Sequence, residues 1–147
     1  MQPSEYQHIM DRCGGHQRHL DRKERWQAMQ CWREVFAASL HTNTGKWKLG
    51  QFEWTVFSAH HTRALSGGRA MEAYRSEQAD SFMVVPEDEI LPAYECTGST
   101  LPDFNASVVD VYVWANDLSW TMAFTHEATS MEIGPFFARR DWADQRP

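Results

Sequence analysis

A chain of 147 residues is long enough for one domain with an ordinary core. Its apolar share of 42%, rich in aromatics and including seven Trp, excludes a disordered or fibrous protein. A net charge of −6 disfavours nucleic acid as a partner, and no apolar run approaches the length of a membrane span.

The start, Met1-Gln2-Pro3-Ser4-Glu5, has no apolar stretch of the kind a secretory signal needs. Cys13, Cys31 and Cys96 are odd in number, widely spaced and without a C-x-x-C pair. That pattern argues against a disulfide framework or a zinc ribbon and for a reducing compartment, so a cytoplasmic location is expected.

Residues 1–18 are polar, with Gly14-Gly15 and three scattered histidines, His8, His16 and His19. No sustained period runs through them, and a loose lead-in is expected. From Leu20 to His41, Trp26, Met29, Trp32, Val35, Phe36 and Leu40 recur at helical spacing, which predicts a long amphipathic helix. Thr42-Asn43-Thr44-Gly45 supplies residues that accept a left-handed cap and end it. Trp47 to His60 alternates as a strand does, with Phe52, Trp54 and Val56 on one face. Gly67-Gly68 then opens a shorter helix, Arg69 to Ala79, with Ala70, Ala73 and Tyr74 facing inward.

Ser81 to Val85 reads as a brief strand stopped by Pro86, and Glu87 to Asn105 as a long acidic connection punctuated by proline. Two further strands, Val108 to Trp114 and Ser119 to Thr125, flank Asn116-Asp117, a pair suited to a tight turn. Centring the loop between those two residues sets Val113 opposite Trp120 and Val111 opposite Met122, which makes one face wholly apolar. Asp110, Tyr112, Trp114, Thr121, Ala123 and Thr125 fall on the other. Phe136-Phe137, after Gly134-Pro135, return to cover an apolar surface, and residues 143–147 are expected to fray. The whole, residues 1–147, reads as one α+β domain. About four antiparallel strands are packed on one face by the Leu20–His41 helix and the Arg69–Ala79 helix.

Charge is unevenly distributed. No Lys or Arg lies between Arg75 and Arg139, an interval that holds Glu77, Asp80, Glu87, Asp88, Glu89, Glu95, Asp103, Asp110, Asp117, Glu127 and Glu132. Such an asymmetry attracts a basic partner, with Glu87, Asp88, Glu89 and Glu127 as binding candidates. Tyr112 and Trp114, on the outer sheet face of this arrangement, are candidates for a partner or subunit contact, and the chain is a monomer or a homodimer.

The chemical candidates centre on Thr125-His126-Glu127. An imidazole titrates near neutrality, and a carboxylate can orient it for acid–base work. Neighbours in a strand point to opposite faces, so Asp110, His60 or Glu132 is the better partner for His126 than Glu127. The catalytic candidates are therefore His126, Asp110 and Thr125. Metal ligation by His126 with His60 or His61 lacks any ligand-spacing motif, so neither a metal nor a cofactor is expected. Cys96 sits in acidic surroundings that oppose a thiolate, and Ser58 lacks the glycine-flanked elbow of a hydrolase.

Trp54 with Phe57-Ser58, Asp110-Val111-Tyr112-Val113, Trp120-Thr121, Thr125-His126-Glu127 and Gly134-Pro135-Phe136-Phe137 together resemble a small bacterial family, domain of unknown function 4275. The resemblance covers about residues 50–137. Leu118 stands where family members often carry an aromatic, and Phe136 where they often carry Tyr. It implies a small cytosolic α+β protein and no particular activity. With no complete catalytic set in view, the leading expectation is a small cytosolic interaction protein that presents an acidic surface to a basic protein partner. An immunity-type inhibitor is one concrete form. The alternative is an enzyme or a small-ligand or metal-binding protein with its site around His126.

Overall fold

The computed structural model describes residues 3–105, 107, 109–128 and 132–143. Val108, at the start of one predicted strand, and residues 144–147 of the tail lie outside the described residues. Among the described residues the elements are, in order, α1 (Pro3–Cys13), β1 (His16–His19), α2 (Arg22–Phe36), α3 (Ala38–Thr44), α4 (Thr55–Ser58), β2 (Leu65–Ser66), α5 (Gly67–Arg75), β3 (Ser81–Pro86), β4 (Tyr94–Thr97), β5 (Val111–Ala115), β6 (Trp120–Phe124), β7 (Phe136–Arg139) and α6 (Arg140–Ala143). The strands form one seven-stranded sheet in the order β1-β4-β3-β5-β6-β7-β2, with every pairing antiparallel. The α+β class with an antiparallel sheet is as expected; the sheet is larger than four strands and the helices are shorter.

Both faces of the sheet are covered. On one, Val111 and Val113 of β5 and Trp120, Met122 and Phe124 of β6 pack with Tyr6 and Met10 of α1 and Ala70, Met71 and Tyr74 of α5. On the other, Tyr112, Trp114 and Ala123 pack with Met29, Trp32 and Phe36 of α2, Leu40 of α3 and Phe57 of α4. The sequence reading sent the valine face toward the long helix. That helix lies instead on the aromatic face, and the indole N–H of Trp32 donates to the Thr121 hydroxyl at 2.9 Å. Thr121 in turn donates to the Val113 carbonyl at 3.1 Å, so this buried hydroxyl is satisfied.

The central hairpin keeps the predicted sidedness but not the predicted register. Val113 faces Met122 and Val111 faces Phe124, a shift of two residues that leaves every side chain on its expected face. The loop is centred one residue later, between Asp117 and Leu118, where Leu118 adopts a left-handed φ of 61° and its N–H closes the turn onto the Ala115 carbonyl at 2.8 Å.

Four stretches depart from expectation, the first being the long acidic connection, in which Tyr94–Thr97 forms β4 and pairs with both β1 and β3. Residues 3–13 are helical, with Tyr6, Met10 and Cys13 on one buried stripe at i, i+4 and i+7. The turn into β1 needs Gly15 in a left-handed conformation, where a β-carbon would stand 2.5 Å from the Ser99 hydroxyl. The predicted Leu20–His41 helix breaks at Ala37 into α2 and α3. It is opened by a capping box in which Asp21 accepts from the Glu24 N–H at 2.8 Å and Glu24 from the Asp21 N–H at 3.0 Å. Trp26 is not core but 63% exposed, since it lies roughly 120° round the helix from Trp32. Finally, Trp47 to His60 is not a strand. It is a looped segment closed by the single turn of α4, which buries Trp54, Val56 and Phe57.

If α1 is part of the core, Met10→Ala lowers unfolding stability by about 2–5 kcal/mol in urea titrations. A change below about 0.5 kcal/mol, the range of surface substitutions, would instead mark residues 3–13 as an appendage.

Candidate functional site

Asp110 and His126 flank the open end of the β5–β6 hairpin, away from its turn. The ladder stops at Val111 and Phe124, and from His126 the chain turns, so strict alternation lapses. The His126 N–H donates to Asp110 Oδ1 at 3.0 Å, and Nδ1 of its ring lies 3.0 and 2.9 Å from Oδ1 and Oδ2. Asp110 Oδ1 also accepts the indole N–H of Trp54 at 2.8 Å. One carboxylate thus fixes a backbone, an imidazole and an indole.

Glu127 does not point away as strand geometry predicted. Its Oε1 lies 3.4 Å from His126 Nε2, because both residues occupy the turn after the strand. The imidazole is therefore held between two carboxylates while its side chain remains 31% exposed. Phe52, stacked on Trp54, stands with its ring centre 4.9 Å from the imidazole and walls one side.

Thr125, a sequence candidate for chemistry, is buried, and its hydroxyl donates to the Ile133 carbonyl. Gly134 packs so closely that a β-carbon there would lie 2.8 Å from the Thr125 methyl. The Thr-His-Glu and Gly-Pro stretches therefore belong together: the threonine and the glycine seat the loop, and the histidine and glutamate face outward from it. His60, in a left-handed φ of 62°, is exposed and His61 half-buried; neither is among the partners of His126. Among the described residues no group of three or more His, Cys, Asp or Glu side chains could hold a metal ion.

The remaining binding candidates divide. Asp88 and Glu89 are exposed. Glu87 turns inward: its Oε1 accepts from the Tyr112 hydroxyl and from the Glu53 N–H, both at 2.8 Å, and Oε2 lies 3.4 Å from Lys48 Nζ. Burial pushes its carboxyl above the usual glutamate range, against the opposing pull of those donors. Tyr112 and Trp114, expected on an outer face, are buried beneath α2 at 0% and 2% exposure. A two-sided cover leaves no outer face there, so neither residue is available to a partner. The Tyr112 hydroxyl is spent on structure as well, since it also accepts the Trp54 N–H at 2.8 Å.

Sequence reasoning missed Trp54 and Phe52 as parts of this site, and missed Glu53, whose carboxylate is buried and bound by Arg33 through Nε at 3.0 Å and through Nη2. Nothing local marks them. They arrive on the looped segment 45–54, whose alternating aromatics imitate a strand. Burial also raises the thiol of Cys96 to about 12, which removes it as a nucleophile.

Fold and site together define a small α+β protein with a two-sided sheet and an imidazole clamped by carboxylates at the mouth of its central hairpin. The chain belongs to the family described as Domain of unknown function (DUF4275), whose model matches residues 9–137. The match takes in the last turn of α1 together with β1, α2 and α3, beyond the 50–137 span read from the motifs. No curated protein and no solved structure matches the chain.

The inward carboxyl of Glu87 makes a prediction about pH. A carboxyl whose folded pKa is raised favours folding when protonated, and that contribution is lost as pH rises through the folded value. Glu87→Gln should therefore gain stability relative to the natural chain as pH climbs from the usual glutamate range toward neutrality. Thermal melts of the two proteins across that interval check it, and parallel curves would refute the assignment.

Proposed function

We propose that the chain is a small cytosolic interaction protein that receives a basic group of a protein partner, an immunity-type inhibitor being one concrete form. The receiving group is the Asp110–His126–Glu127 cluster. One observation supports this most: two carboxylates face a single imidazole, so the cluster carries negative charge whether or not that imidazole is protonated. Phe52 beside it offers a ring face suited to a Lys or Arg side chain.

The acidic interval as a whole contributes less than its length suggests. Glu77, Glu87, Glu95 and Asp103 pair with Arg139, Lys48, Arg18 and Arg75, cations supplied from outside the interval. Such pairs cancel the long-range field that the one-dimensional sequence implies. What remains includes the His126 cluster and exposed Asp88 and Glu89.

A second reading, acid–base chemistry at the same imidazole, is favoured by the way Asp110 fixes Nδ1. Against it, the outward nitrogen already meets Glu127, and the neighbouring Thr125 hydroxyl is committed to the Ile133 carbonyl. The two readings separate at Glu127, which a binding site needs and a catalytic one does not.

Titration with an acetylated and amidated Gly-Arg-Gly peptide, followed by NMR, tests the first. The imidazole signals of His126 and the ring signals of Phe52 should shift saturably and weaken with added salt, and Glu127→Gln should reduce affinity by about threefold to tenfold. Shifts confined to other surfaces, or an unchanged affinity in the Gln variant, would sink this reading.

A further inference from the structure

Two large apolar side chains are strongly exposed among the described residues, Trp26 at 63% and Ile90 at 81%. They belong to one face. Arg25, next to Trp26 on α2, reaches across to the loop that carries Ile90. It donates to the carbonyls of Pro86 and Leu91 at 2.6 Å and of Asp88 at 3.0 Å. A guanidinium that satisfies three carbonyls holds this loop in one shape, so Ile90 projects from a preorganised support rather than a loose tip.

Beside that knob lies a hollow. A cavity of about 640 Å³ opens between α2 and the 85–93 segment, lined half by apolar side chains such as Trp26 and Met29 and half by charged ones, Arg22, Arg33, Lys48 and Glu89 among them. Its rim carries both signs of charge: Arg22 and Lys23 are exposed on α2, and Asp88 and Glu89 are exposed on the loop. Arg22 on α2 and Glu89 on the loop both line the hollow itself, so its mouth has a basic and an acidic edge. A purely basic partner gains nothing from such a surface. A surface that carries its own complement, knob beside hole and acid beside base, fits an isologous contact, in which each feature meets its counterpart on an identical chain.

We infer that this face joins two copies of the chain about a twofold axis, with Ile90 of each copy seated in the α2 hollow of the other and Arg22 of each facing Glu89 of the other. Trp26 is the aromatic anchor at the centre of the contact, and the charged edges set its orientation. The contact leaves the His126 cluster out of the pairing, so it is a second surface with a different occupant.

Sedimentation velocity over a concentration series tests it. The natural chain should dimerise, and Ile90→Asp and Trp26→Ala should each weaken dimerisation by about tenfold or more while the far-ultraviolet circular dichroism stays unchanged. Arg22→Glu and Glu89→Arg should each shift the protein toward monomer, because each places like charges opposite one another twice. An equimolar mixture of those two variants should dimerise again, since both cross-chain pairs then join opposite charges. A natural chain that stays monomeric at its highest soluble concentration overturns the inference. So does a dimer indifferent to Ile90→Asp, or a mixture of charge variants that fails to recover.

Discussion

The structure depends on the β5–β6 hairpin being buried on both of its faces. All ten residues of the two strands are buried, which is uncommon for an antiparallel pair, where one face usually meets water. Two separate helical layers are therefore required, and the chain provides them from α1 with α5 and from α2 with α3 and α4. The valine face takes the first layer and the aromatic face the second. The Thr121 hydroxyl, a polar group buried under the aromatic layer, is made tolerable by the Trp32 indole.

The same constraint explains where polar chemistry gathers. Inside the sandwich there is no room for it, so it collects where the hairpin stops pairing, at Asp110 and His126. The looped segment 45–54 closes this end by bonding to the sheet through side chains: Trp54 to Asp110, and the Trp54 and Glu53 amides to Tyr112 and Glu87. Backbone without a strand partner still needs acceptors, and acidic residues at the strand ends supply them. Asp110 and Glu87 are thus as much anchors of a loop as members of a charged surface.

Seen in three dimensions, the long interval without Lys or Arg loses much of its meaning. Antiparallel pairing and helix packing bring cations from elsewhere in the chain against it: Arg18 on β1, Lys48 on the loop, Arg75 on α5 and Arg139 on β7. A charge asymmetry along the sequence becomes a charge asymmetry in space only where no such strand or helix crosses it. The His126 turn and the Asp88–Glu89 tip are two such places.

Local pattern determined much of this protein. Alternation in β5 and β6, and the sidedness that survives a register shift of two, were legible because the strand period is short and one slip would mix the valine face with the aromatic one. Helical spacing around Trp32 and Phe36 and the Gly45 cap were legible for like reasons of local geometry, and Asp110 was one of three partners the sequence offered for His126. The polar start hid α1, since a stripe of only Tyr6, Met10 and Cys13 is too sparse to show a period without the core it fills. Which helix covers which face, the helical turn in place of a strand at Thr55–Ser58, the turn that swings Glu127 back to His126, and the burial of Tyr112 and Trp114 were decided by tertiary packing alone. The layering and the burial depend on contacts between residues many tens of positions apart, which no window along the chain contains, and the Glu127 turn depends on where the β5–β6 ladder stops.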